Sequence, residues 1–125
     1  MILPKECLLL RIFISENDRH GRRLLYEEIV ERARALGMAG ATVLHGIMGF
    51  GKASRIHTAK VLRLSDNLPV VVEIVDRPDR IEAFLPELTA IVGGGLVTLE
   101  RVEVVLYRHA SEESSAGATP SEPAN

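Results

Sequence analysis

The chain reads as an α+β domain of the split-βαβ, ferredoxin-like kind, a four-stranded antiparallel sheet with two helices on one face. Three observations predict it. Two apolar runs, CLLLRIFI (7–14) and LPVVVEIVD (68–76), have the length and β-branched content of strands. A helical repeat and a shorter strand-like run lie between them, and a second helical repeat follows the stronger strand directly. A further alternating stretch then closes the order β-α-β-β-α-β.

Element by element, Leu8, Leu10, Ile12 and Ile14 alternate against Leu9, Arg11 and Phe13 in the first strand. SENDRHGRR (15–23) supplies Ser15, Asn17 and Asp18 as turn or cap residues. From Leu24 to Leu36 the apolar positions Leu25, Ile29, Ala33 and Leu36 recur at three- and four-residue steps, and Gly37 stops this helix. ATVLHGIM (41–48) is the second strand and LPVVVEIVD the third. Pro78 opens the second helix, whose buried stripe is Ile81, Phe84, Leu85, Leu88, Ile91 and Val92. Pro86 falls inside that stripe and is expected to bend the helix or delay its regular part. Gly93–Gly95 end it, and LVTLERVEVVLY (96–107) is the last strand. Helices on one face leave the other partly apolar, which predicts a homo-oligomer.

At 125 residues the chain holds one domain, expected over 1–109, with 110–125 a disordered acidic, Ser- and Pro-containing tail. A composition 46% hydrophobic and 26% charged is that of a soluble globular domain. No apolar run approaches the roughly 18 residues of a membrane helix, so membrane insertion is not expected. MILPKECLLLRIFI lacks the basic start and small-residue cleavage site of a signal peptide. The single Cys7 excludes an internal disulfide and fits a reducing cytoplasm; in an apolar strand it reads as a buried thiol.

Net charge is −2, unevenly spread. The tail holds three of the 17 acids (Glu112, Glu113, Glu122) and no base, leaving 14 acids against 15 bases elsewhere. Between Glu31 and Asp66 there is no carboxylate, yet Arg32, Arg34, Lys52, Arg55, Lys60 and Arg63 fall there with His45 and His57. A local positive field on a near-neutral chain points to a small anionic ligand rather than to nucleic acid.

Within that interval HGIMGFGKAS (45–54) admits three readings. From Gly46 it has the G-x-x-x-x-G-K spacing of a phosphate-binding P-loop, but Ala53 replaces the magnesium-binding hydroxyl. The following residues also alternate like a strand rather than opening a helix. Gly49-Phe50-Gly51 matches three positions of an RNA-recognition signature, but Met48 replaces the base before it. Lys52, Ala53 and Arg55 replace its later Phe, Val and aromatic, and the whole chain has five Phe and Tyr residues with which to stack bases. The third reading is a long, basic connection, since roughly twenty residues exceed what a hairpin needs. Its glycines present backbone N–H groups to an anion, Lys52 and Arg55 add charge, and Phe50 covers a planar base. A nucleotide or similar organic phosphate fits that chemistry, and a plain flexible hairpin is its bland counterpart.

Other chemistry is thin. His20, His45, His57 and His109 have no metal-ligand spacing among themselves or with Cys7. No nucleophile, base and orienter form a set, so catalysis is not expected.

The stretch GIMGFGKASRIHTAKVLRLSDNLPVVVEIVD, a following helix, and IVGGGLVTLERVEVV resemble the PII-like family catalogued as domain of unknown function 190. The resemblance covers about residues 5–108. It implies a closed trimer of βαββαβ subunits that senses rather than catalyses, with an adenine nucleotide (AMP, ADP, ATP or a cyclic form) in the clefts between subunits. By position the mobile T-loop corresponds to Gly46–Ser65, with Gly49, Phe50, Gly51 and Lys52 at its base and Arg55 and His57 beyond. The B-loop, which contacts phosphates through backbone N–H groups, corresponds to Gly93, Gly94 and Gly95. The chain departs from the pattern where Leu96 and Val97 stand in place of the B-loop's phosphate-binding Lys. The Arg-rich C-terminal loop has no counterpart beyond Arg101 and Arg108, and the modified T-loop Tyr is absent. These departures count against a triphosphate, against uridylylation and against the nitrogen-signalling role.

The expected function is therefore a regulator that binds a small anion and signals through its loop to a protein partner, with a membrane transporter as one candidate. Two alternatives stand beside it: a small trimeric enzyme acting on a small acid, and an interaction scaffold indifferent to nucleotide.

Overall fold

The computed structural model describes residues 2–50, 57–58 and 67–110. In chain order these form β1 (Glu6–Ser15), β2 (Arg19–His20), β3 (Arg23–Leu24), α1 (Leu25–Ala35), β4 (Thr42–His45), β5 (Met48–Gly49), β6 (His57–Thr58), β7 (Pro69–Asp76), α2 (Pro78–Ile91) and β8 (Leu96–Glu103). The main sheet has four antiparallel strands in the order β4-β7-β1-β8. The order and the two helices are those of the ferredoxin-like arrangement.

The two-residue period of β1 and β7 sorts their side chains. Leu10, Ile12 and Ile14 from β1 and Val70, Val72 and Ile74 from β7 are buried under the helices. Leu25, Ile29 and Ala33 of α1 and Ile81, Phe84, Leu88 and Ile91 of α2 close the same core. Leu36, expected in the stripe of α1, instead caps the helix and is half exposed, because Gly37 turns the chain at φ +70°. The opposite sheet face pairs Phe13 with Val71 and Leu96, and Leu44 with Val71. At its middle Arg11 donates to Glu73 (2.8 Å) and Glu100 (2.9 Å), so the face is apolar at its ends and ion-paired at its centre.

Four boundaries differ from the sequence reading, each for a physical reason. The segment 15–24 is more than a turn: Gly21, at φ +64°, allows the two-residue hairpin between β2 and β3. The expected strand 41–48 divides, because β7 starts at Pro69 and the last rung is the Gly46 N–H donating to the Pro69 carbonyl (2.8 Å). Beyond it, Met48–Gly49 pair with His57–Thr58 in a separate two-stranded ladder. The last strand ends at Glu103 rather than 107, since its partner strand begins with Glu6 opposite it. Finally, α2 runs unbroken through Pro86. Pro86 and Glu82, whose carbonyl loses its partner, are both exposed, so the missing bond falls on the solvent side of the helix.

A buried carboxylate ties the helices together. Asp76, fully buried, accepts from the Ala39 N–H (2.9 Å), the Arg77 N–H (2.7 Å) and Arg80 Nε (3.3 Å). Arg80 Nη2 in turn donates to the Leu36 and Gly37 carbonyls at 2.8 and 2.7 Å, satisfying groups that the end of α1 leaves unpaired. The Tyr107 hydroxyl donates to the Ala39 carbonyl (2.7 Å), fastening the segment after β8 to the same loop.

Candidate functional site

At the sheet end where β1 finishes and β8 begins, the chain forms an open cleft of about 690 Å³. The predicted residues Gly46, Gly49 and Phe50 line it from the connection after β4, and Gly93, Gly94 and Gly95 line it from the loop between α2 and β8. Two segments more than forty positions apart in the chain thus meet across one space. Gly51, Lys52 and Arg55 lie outside the described residues, as do Lys60, Arg63 and the tail beyond 110. His57 enters as the backbone partner of Gly49.

The five described glycines of these two segments differ in what their neighbours demand. A Cβ at Gly95 would stand 2.6 Å from the Phe13 carbonyl oxygen, and its φ of +143° is a conformation other residues rarely adopt. A Cβ at Gly46 would meet Pro69 Cγ at 2.7 Å, and one at Gly49 would meet it at 3.1 Å. Gly49 sits against the Pro69 ring, which would have to give slightly, while Gly95 and Gly46 are required by the packing of the cleft wall. Gly93 and Gly94 are not, because a Cβ at either would meet nothing within 4 Å. Both border the open cleft.

The rest of the lining supplies apolar surface and a few polar groups. Phe13, Met48, Phe50, Pro69 and Val71 form the apolar side, with Phe50 68% exposed and so able to cover a ring. Ser15, Asp18, Arg19 and Asn67 supply polar groups, none of which the glycine pattern indicated. The β1 alternation identified Phe13 as off the core, whereas Arg19 came to the cleft through a hairpin that carried no signal beyond Gly21.

The root of the long connection is held by polar contacts. Glu16 Oε1 lies 2.7 Å from His45 Nε2, and Glu16 Oε2 accepts the Leu68 N–H (3.1 Å). The Glu16 N–H donates to the Leu68 carbonyl (2.9 Å), and the Asn17 amide donates to Asn67 Oδ1. The Leu68 N–H, and then His45, hold the Glu16 carboxyl below the usual carboxylate range. Cys7 is buried, and desolvation followed by the Asp76 charge pushes its thiol up, which fits an unreactive core thiol. Among the described residues no three His, Cys, Asp or Glu side chains are placed to hold a metal ion. Among them, too, no helix is long and apolar enough to cross a membrane.

The sequence profile of domain of unknown function 190, described as an uncharacterized ACR, matches residues 7–104. The chain belongs to this family. A UPF0166 protein of Aquifex aeolicus is 44% identical over 97 residues, which span 78% of this chain and 91% of that protein. A UPF0166 protein of Methanocaldococcus jannaschii is 35% identical over 92 residues, 73% of this chain and 84% of its own length. Among solved structures the fold is similar to that of CPII, a nitrogen regulatory PII-like protein from Thiomonas intermedia K12 bound to ADP, AMP and bicarbonate. That likeness has a TM-score of 0.54 at 16% identity and covers 79% of this chain and 88% of CPII. At that identity it is a likeness of fold. The family reading and the ferredoxin-like, PII-like fold made from the residues therefore hold.

Proposed function

We propose that this DUF190 protein is a PII-like regulator that binds an adenine nucleotide in the cleft bordered by Gly46–Phe50 and Gly93–Gly95. Its role is binding, with occupancy passed to a protein partner through the connection after β4. The observation that carries the reading is the open space over Gly93 and Gly94. Glycine there serves no internal packing, and a ligand approaching as close as a Cβ would stand gives it a purpose. Backbone N–H groups of such a loop suit phosphate oxygens, while Phe50 and Phe13 suit a base.

Two further features support it. The similar protein CPII is described with ADP and AMP bound. The sheet face carrying Phe13, Leu44, Val71 and Leu96 is suited to burial against further copies of the chain, as in a trimer with the clefts at its subunit boundaries. The coupling needed is small: a ligand that prefers one state of the connection tenfold shifts it by about 1.4 kcal/mol per site. Calorimetric titration with AMP, ADP, ATP and cyclic AMP tests the proposal. It expects saturable binding of at least one of them at one site per chain, and no heat from any at millimolar concentration rejects it.

A further inference from the structure

We infer that Arg19, carried on the β2–β3 hairpin, is the residue that reads the phosphate of a nucleotide in this cleft, an inference that rests on the nucleotide reading above. Arg19 is exposed and lines the cleft together with Gly93–Gly95. It is the one cationic side chain among the described lining residues. Gly93, Gly94, Gly95 and the Leu96 and Val97 that follow carry no charge, so among the described lining residues the cation comes from the hairpin.

The hairpin is built to hold that side chain in place. The Asp18 carbonyl accepts the Leu25 N–H (2.7 Å), and the Asp18 N–H donates to the Ser15 carbonyl (3.1 Å). Asp18 Oδ2 also accepts the Ser15 N–H at 3.0 Å, so this second charged residue of the lining closes the turn at the hairpin's base. Gly21 lets the hairpin reverse in two residues. The guanidinium is steadied by one bond, Nη1 to the Arg22 carbonyl at 3.0 Å. A guanidinium has five N–H donors, so the fork remains able to bind phosphate at two points. Its neighbour Arg23 differs, being paired with Glu28 (3.1 Å) and Glu31 (2.8 Å). Among the described contacts Arg19 has no carboxylate partner to surrender before meeting an anion.

Calorimetry on the full chain tests the inference with wild type, Arg19→Ala, Arg19→Lys and Arg22→Ala, each titrated with AMP, ADP and adenosine. Arg19→Ala is expected to weaken AMP and ADP at least about tenfold and to leave adenosine unchanged, since a charged hydrogen bond of this kind is lost. Arg19→Lys should recover part of the loss by keeping the charge without the fork. Arg22→Ala, on the same hairpin but outside the cleft lining, should bind like wild type. Unchanged AMP and ADP affinity in Arg19→Ala overturns the inference and leaves the nucleotide reading standing. So does a loss shared equally by adenosine or by Arg22→Ala. Failure of the wild type to bind AMP or ADP overturns the nucleotide reading itself, and this inference with it.

Discussion

Glu16 and His45 meet at 2.7 Å, and through that contact the end of β1 holds the strand that leads into the long connection. The same carboxylate accepts the Leu68 N–H, where the connection returns to the sheet. One side chain therefore joins both ends of the segment between them. Because hydrogen bonds to the ionised form lower its pKa, Glu16 contributes stability that is present above the ordinary value of 4.5 and lost as pH falls through its lower folded value. Glu16→Gln should cost about 0.5–1.5 kcal/mol at pH 7. Urea unfolding at pH 7 and pH 3.5 checks the sign: the gap between wild type and variant narrows at the lower pH.

Gly95→Ala should destabilise the fold without any ligand present. The backbone at φ +143° and the Phe13 oxygen 2.6 Å from a Cβ act together, and about 1–3 kcal/mol is the expected cost. Thermal melting measures it.

Gly93→Ala and Gly94→Ala should behave in the opposite way. With nothing within 4 Å of either Cβ, their stability should stay within about 0.5 kcal/mol of wild type. Their nucleotide affinity should nevertheless fall about tenfold or more, because the methyl group occupies the approach to the backbone. Melting and calorimetry on the same samples separate the two effects.

Arg80→Met should be among the most damaging exposed-side substitutions. It removes a partner of the buried Asp76 and leaves two carbonyls at the end of α1 without their donor. The expected loss is about 2–3 kcal/mol, read by chemical denaturation.

Much of this architecture was legible in the residues, and the reasons are local. β1 and β7 carry Leu, Ile or Val at every second position, and both helices keep an apolar step of three or four. Pro69 could not be read as the end of a ladder, because its effect depends on which strand lies beside it. The same holds for Glu103, whose strand stops where its neighbour begins. The glycine clusters marked both cleft walls, yet glycine spacing alone does not tell packing from ligand approach. Gly95 and Gly46 serve the first, and Gly93 and Gly94 stand open. Arg19 was hidden for another reason: it sits in a polar run of turn residues, and only the folded hairpin turns it toward the cleft.

The central claim, that the two glycine segments form one nucleotide site, is tested most directly by amide shifts in ¹⁵N-labelled protein titrated with ADP. The account predicts that Gly46, Gly49 and Phe50 shift together with Gly93, Gly94 and Gly95, saturating at a single affinity. Shifts confined to one segment, or centred elsewhere on the molecule, would contradict it.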